Sequence, residues 1–140
     1  MSIWKKHPSL EALSKSRAGT LVEHLGIEVV EIGDDFLRAS MPVDNRTHQP
    51  MGILHGGASI ALAETVGSIA ANLAVDAGHY CVGLEVNGNH LRSVREGLVF
   101  AKATPIHLGR STQVWNIRIS DEADNNVCIS RLTMAVLAKG

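Results

Sequence analysis

Hydrophobic and polar residues alternate clearly in one stretch of this chain and give way to a long apolar run in another. Trp115, Ile117 and Ile119 take every second position between polar neighbours, the period of a strand buried on one face. Residues 80–87, 98–106 and 127–137 are rich in strand formers, so with 112–119 they predict four closing strands. Polar turns at 95–97, 107–110 and 121–126 punctuate them. Earlier, residues 27–32 and 36–42 predict a strand pair around Gly33-Asp34-Asp35. Two short helical patterns come first. One begins at Ser9, a good N-cap residue, and reaches Lys15 with Leu10 and Leu13 on one side. The other covers 20–25, where Thr20 and Glu23 have capping-box spacing and Gly26 supplies the stop.

The exception is the run that follows the polar loop at residues 44–54. From Ala58 to Ala74 the only polar residues are Ser59, Glu64, Thr65, Ser68 and Asn72. This predicts a long helix ending near Asp76-Ala77-Gly78, with no face polar enough for water. Two strands, a helix and four strands predict an α+β fold, one domain over residues 1–140, with a long antiparallel sheet wrapped round one buried helix. Glu64 sits in the middle of that helix. Burial pushes a carboxyl pKa up, towards general-base or nucleophile chemistry. Taken alone, the same acid reads equally as a salt-bridged group at the polar edge of a core helix.

Its neighbours change that balance. Ser68, four residues on, shares a helix face with Glu64. Gly56 and Gly57 open the helix, where unpaired N–H groups and the positive end of the dipole point outward, a site for a developing oxyanion. Gln49 and His55 add hydrogen-bonding side chains just before it. Base, hydroxyl and oxyanion donors together point to acyl transfer or hydrolysis. Gly56 and Glu64 are eight residues apart, about 12 Å along a helix, whereas both groups should approach the reacting centre to about 3 Å. One helix cannot supply both. Two antiparallel copies can, with the two-fold axis near Ile60, and small residues such as Ala61 and Gly67 permit close packing. The same small residues serve equally to pack one helix on its own sheet.

Composition narrows the field. The chain is 45% apolar and 19% charged with net charge −1, enough for a core and no basis for a general nucleic-acid or membrane-surface role. Cys81 and Cys128 lie in apolar strand contexts and read as buried thiols in a reducing compartment. Ile3-Trp4-Lys5-Lys6 leads into polar residues and does not read as a signal peptide, so the expected location is cytoplasmic. No C-x-x-C or H-x-x-x-H pair suggests a metal.

The segments MPVDNRTHQPMGILHGGAS, ALAETVGS, NHLRSV, HLGRS and SRLTMAVL carry a likeness to a known family. The chain resembles the hotdog-fold acyl-CoA thioesterases of the 4-hydroxybenzoyl-CoA and phenylacetate-pathway type. Within them it is most similar to the branch holding the 1,4-dihydroxy-2-naphthoyl-CoA and enterobactin-proofreading thioesterases. The resemblance implies a homodimer assembling to a homotetramer, acyl-CoA as substrate with carrier-protein thioesters as a variant, and no separate cofactor. By position it implies Glu64 as the catalytic carboxylate, attacking the thioester or activating water, and Gly56 N–H as the oxyanion donor. Gln49 and His55 would hold the thioester carbonyl, Ser68 would position the water, and His90 would line the pocket. Coenzyme A carries phosphates, so basic residues at the mouth are expected to meet them. Arg110 is the first choice, then Arg92 and Arg95.

Two other functions remain open from sequence. A hotdog hydroxyacyl-thioester dehydratase would pair His55 with Glu64, although Gln49 and Ser68 suit water-driven hydrolysis better. A non-catalytic acyl-CoA-binding protein would not require a buried acid.

Overall fold

A twelve-residue strand with most of its residues exposed sits at one edge of the sheet. The computed structural model describes residues 1–140. Its elements are α1 (Leu10–Lys15), α2 (Leu21–His24), β1 (Glu28–Ile32), β2 (Leu37–Val43), α3 (Gly56–Leu73), β3 (His79–His90), β4 (Gly97–Leu108), β5 (Thr112–Ser120) and β6 (Asn126–Ala138). The six strands form one sheet in the order β1-β2-β4-β5-β6-β3, antiparallel at every pairing. The predicted α+β architecture is therefore present, with each strand within a few residues of its expected span.

Strand alternation explains the layering. Leu37, Ala39, Met41 and Val43 of β2, Val99, Ala101 and Ala103 of β4, and Trp115, Ile117 and Ile119 of β5 are buried. Helix α3 lies across this surface and packs on β2 through β6. Leu62, Val66, Ile69 and Leu73 form its inward stripe at spacings of four, three and four. Fully burying each such side chain stabilises the fold by about 1.5–3 kcal/mol. Gly67 lets the helix come close: a Cβ there would stand 2.5 Å from Leu132 Cδ2 and 3.4 Å from Ile117 Cδ1.

The expectation that α3 has no face to water fails for the single chain. The sheet covers one side of the helix only. Glu64 lies on the side towards β3 and is exposed, because β3 is the last strand and nothing of this chain lies beyond it. The two sheet edges differ. β1 is five residues long and carries Glu28 and Glu31, a charged, short edge that discourages pairing. β3 is long and leaves Val82, Leu84 and Tyr80 exposed.

The N-terminal segment is fastened to the far end of α3. Trp4 is buried and lies parallel to Trp115, ring centroids 6.2 Å apart, and its Nε1–H donates to Gly33 O at 2.6 Å. The N–H groups of Lys5 and Lys6 donate to Leu73 O at 2.8 and 3.2 Å, and Lys6 Nζ donates to Asn72 O at 2.8 Å. A cation at a helix C-terminus also complements its dipole. Ser9 caps α1 as expected, accepting from Ala12 N–H at 3.1 Å. The Thr20–Glu23 capping box does not form. Thr20 Oγ1 donates to Arg17 O at 2.6 Å, and Glu23 accepts from Gly19 N–H at 3.2 Å instead.

Gly67→Ala tests how tightly the helix is seated. Helix propensity alone would add about 1 kcal/mol, while overpacking against Leu132 costs about 1–3 kcal/mol. The expected outcome is a lower urea midpoint; a higher one would show that Leu132 moves aside freely.

Candidate active site

His55 begins the site by ending the loop. Its Nδ1 accepts from Gly57 N–H at 2.8 Å, making it the N-cap of α3. An accepting Nδ1 places the neutral ring's proton on Nε2, so the outward nitrogen is a donor. The N–H groups of Ala58 and Ser59 both reach His55 O, at 3.0 and 3.2 Å. Gly56 N–H is left as the first-turn donor without a partner in the chain. The His90 ring lies against it, with Nε2 2.9 Å from where a Gly56 Cβ would stand. Gly56, Ser59, His90 and Arg92 line one cavity of about 380 Å³.

Glu64 and Ser68 line another, of about 460 Å³, with Ala61, Thr65, Ile69 and Asn72 from α3 on one wall. Arg17, Leu21 and Val22, from α1–α2, form the other. The Glu64 carboxylate rests on β3, where a Cβ at Gly83 would stand 2.8 Å from Oε2. The ladder between β3 and β6 shifts register between Gly83 and Glu85, so bulge and glycine together make room for the acid. Ser68 Oγ approaches Met134 Sδ at 3.9 Å. Asn72 ties the end of the helix to β3: Cys81 N–H donates to its Oδ1 at 2.8 Å, and its Nδ2 donates to Ser68 O and Cys81 O.

The chain thus brings Glu64 to Ser68, and Gly56 to His90 and Arg92, in separate cavities. Gln49 turns back on its own loop, its Oε1 accepting from Met51 N–H and its main chain bonded to Ile53 and Gly52. That leaves its side-chain NH₂ as a donor. Arg110 is exposed in the β4–β5 turn, beside the β6 residues that pair with Val82, at the opposite end of β3 from His90. Arg95 is likewise exposed, and its carbonyl is held by His48 Nε2 at 2.8 Å. Cys81 and Cys128 are buried and unpaired, and burial pushes both thiols up. Gly83 was signalled only by its being a glycine inside a strand; nothing in the sequence singled out Arg17.

A family model described as the thioesterase superfamily matches residues 51–128. That span runs from just after Gln49 through α3 to β6 and holds the α3 groups of both cavities. The chain belongs to this superfamily. It is 55% identical to the proofreading thioesterase EntH of Cronobacter turicensis, over 96% of this chain and 98% of that one. It is 52% identical to the 1,4-dihydroxy-2-naphthoyl-CoA hydrolase of Escherichia coli K12, over 96% and 99%. A thioesterase structure from Haemophilus influenzae superposes with a TM-score of 0.96 at 52% identity, covering 97% of this chain and 95% of that one. The fold is the hotdog, and the protein is a thioesterase, a hydrolase.

Within this hydrolase Glu64 is the one carboxylate on α3. Glu64→Gln is expected to leave the unfolding midpoint nearly unchanged and to lower kcat at least ~10³-fold, about 4 kcal/mol of barrier. Retention of more than about a tenth of wild-type kcat would remove Glu64 from the chemistry.

Proposed function

We propose that this thioesterase hydrolyses aromatic acyl-CoA esters at two composite sites, each built from two copies of the chain. The carrying observation is the separation of the parts. Gly56 N–H and the Glu64 carboxylate lie on one unbroken helix, Gly56–Leu73, about 12 Å apart, each in its own cavity. A two-fold axis near Ile60 sets Gly56 of one copy beside Glu64 of the other. Strand β3 supplies the means, since its free edge can pair with its own symmetry mate.

In the assembled site, the thioester carbonyl oxygen accepts from Gly56 N–H, with the donors of His55 and Gln49 nearby. Glu64 of the other copy attacks the carbonyl carbon itself or takes a proton from a water held by Ser68. Negative charge gathers on the oxygen next to Gly56 and the positive end of α3. Collapse breaks the C–S bond and expels the coenzyme A thiolate. In the water route the thiolate takes the proton held by Glu64 and the acyl group leaves as its acid. In the direct route a water then cleaves the acyl-Glu64 anhydride, releasing the acid, restoring the carboxylate and supplying the thiolate's proton. His55 supports hydrolysis over dehydration, because its capping bond makes the outward nitrogen a proton donor and not a base. The exposure of Glu64 removes the argument from a buried acid, and what supports catalysis over plain binding is the thioesterase superfamily match and the hydrolases among the relatives.

Arg92 lines the cavity with Gly56 and His90 and is our candidate for a coenzyme A phosphate. Antiparallel pairing of β3 would bring Arg110 of the other copy to the same end, so both arginines fit the mouth of one site. The aliphatic groups of Leu21, Val22 and Ile69 suit an aromatic acyl group, the class named for the E. coli relative, and medium-chain groups would meet the same walls. Pairing of two such dimers into a homotetramer, and action in the cytoplasm, complete the proposal. No helix is long and apolar enough to cross a membrane.

Two assays test it. With a thiol reagent, aroyl-CoA esters are expected to turn over faster than alkanoyl-CoA or aroyl-carrier-protein esters; the reverse order would replace the substrate class. For the composite site, Glu64→Gln is co-refolded at equal amounts with Gly56→Pro or Gln49→Ala. Each parent has two damaged sites, and a mixed dimer has one intact site. Random assembly makes half the dimers mixed, so recovery should approach about a quarter of wild-type activity. No recovery with either partner, in material shown by mass to contain mixed dimers, would place the whole site within one chain.

A further inference from the structure

The cavity that holds Glu64 also holds a cation that the reaction described above does not use. Arg17 reaches it from the link between α1 and α2, across from α3. Leu21 and Val22 beside it are apolar, as the wall of an acyl pocket should be. Arg17 is half-buried, and burial pulls its guanidinium below the usual arginine range. It takes part in none of the chain's ion pairs. Its side chain bonds only the neighbouring Ser16 hydroxyl, while a guanidinium carries five N–H donors in a planar fork.

The acids around it are accounted for. Glu23 and Glu28 border a smaller depression that Arg17 also lines, neither within ion-pair distance, and Glu23 accepts from Gly19 N–H. Glu64 is the other charged group of the cavity and is not paired with Arg17. Asn72, the remaining amide there, has committed both its oxygen and its NH₂ to Ser68 and β3. A half-buried guanidinium with spare donors, in a cavity walled by Leu21 and Val22, is free to take an anion.

We propose that Arg17 is a specificity-determining residue whose guanidinium binds a carboxylate on the acyl group, so that this enzyme selects carboxylated aromatic acyl thioesters over unsubstituted ones. The inference rests on the thioesterase reading of the Glu64 cavity. A site built to bind a polar group discriminates strongly against the analogue lacking it, because its own donors are then left unpaired. The carboxylate also lies in a pocket with Glu64, and Arg17 offsets the repulsion between the two acids.

The test is the ratio of kcat/KM for 3- and 4-carboxybenzoyl-CoA to that for benzoyl-CoA, with 3- and 4-hydroxybenzoyl-CoA as neutral oxygen-bearing controls. Wild type is compared with Arg17→Met and Arg17→Lys, with unfolding midpoints measured on each. Arg17→Met is expected to lower the better carboxybenzoyl-to-benzoyl ratio about ten- to a hundredfold, mainly through KM. Arg17→Lys should restore part of it, as a point charge without the planar fork. If Arg17→Met does not fold, Arg17→Gln takes its place. An unchanged ratio, or a parallel loss on all esters, would make Arg17 a structural or solvated residue and overturn the inference alone. A change confined to the hydroxybenzoyl esters would overturn the carboxylate assignment. Wild type inactive on every ester would overturn the aromatic acyl-CoA reading of the Glu64 cavity and the inference with it.

Discussion

A helix is a ruler, and the length of α3 between Gly56 and Glu64 constrains everything built around it. About 12 Å of hydrogen-bonded backbone cannot bend enough to bring an oxyanion donor and a carboxylate onto one carbonyl. The buried stripe of Leu62, Val66, Ile69 and Leu73 leaves little play either. The glycines sharpen the constraint. Gly67 lets the helix settle on Leu132, Gly83 admits the Glu64 carboxylate, and Gly88 admits Ile60 Cδ1. Helix position, rotation and the height of Glu64 over β3 are thus fixed by the same packing that makes the core.

The cavity beside Glu64 is assembled from distant parts of the chain. α3 gives one wall, and the other comes from a segment that would have no reason to lie there on its own. Two helices of six and four residues are too short to be stable in isolation. They are held at both ends. Trp4 against Trp115, with Lys5 and Lys6 on Leu73 O, fixes the entry. At the exit, Gly26 adopts a positive φ of 73° and Leu25 and Ile27 are buried. The α1–α2 wall of the Glu64 cavity therefore depends on a tryptophan pair well outside it.

Much of this was legible in the residues, and the reasons differ from element to element. Period-two alternation in 112–119 and the unbroken apolar run after Ala58 give β5 and α3 because burial on one face leaves a periodic trace. Gly56 as a helix-opening donor followed from the glycine pair, and the His55 cap adds why that one N–H stays free. Thr20 and Glu23 had the right spacing for a box, but spacing does not say whether the Arg17 carbonyl offers the hydroxyl a better bond. Glu64 was expected to be buried because an apolar helix was assumed to be covered all round. Which faces one chain can cover is set by strand order, and strand order leaves no local mark. The same holds for Arg17 and Arg110: their sequence contexts are ordinary, and only the fold places one in the Glu64 cavity and the other at the far end of β3 from Arg92.

The exposure of Glu64 carries a consequence for how such an enzyme could be controlled. Desolvation is what makes a carboxylate basic or nucleophilic at neutral pH. In the proposed arrangement the covering surface is the helix start of a second copy, which also brings Gly56 N–H. One association step would then desolvate the base, supply the oxyanion donor and close the exposed edge of β3. A monomer would hold each component in its native conformation and still lack a site. Activity and assembly would share one equilibrium, so a substitution at Val82 or Leu84 on the β3 edge would act on turnover without touching a reacting atom.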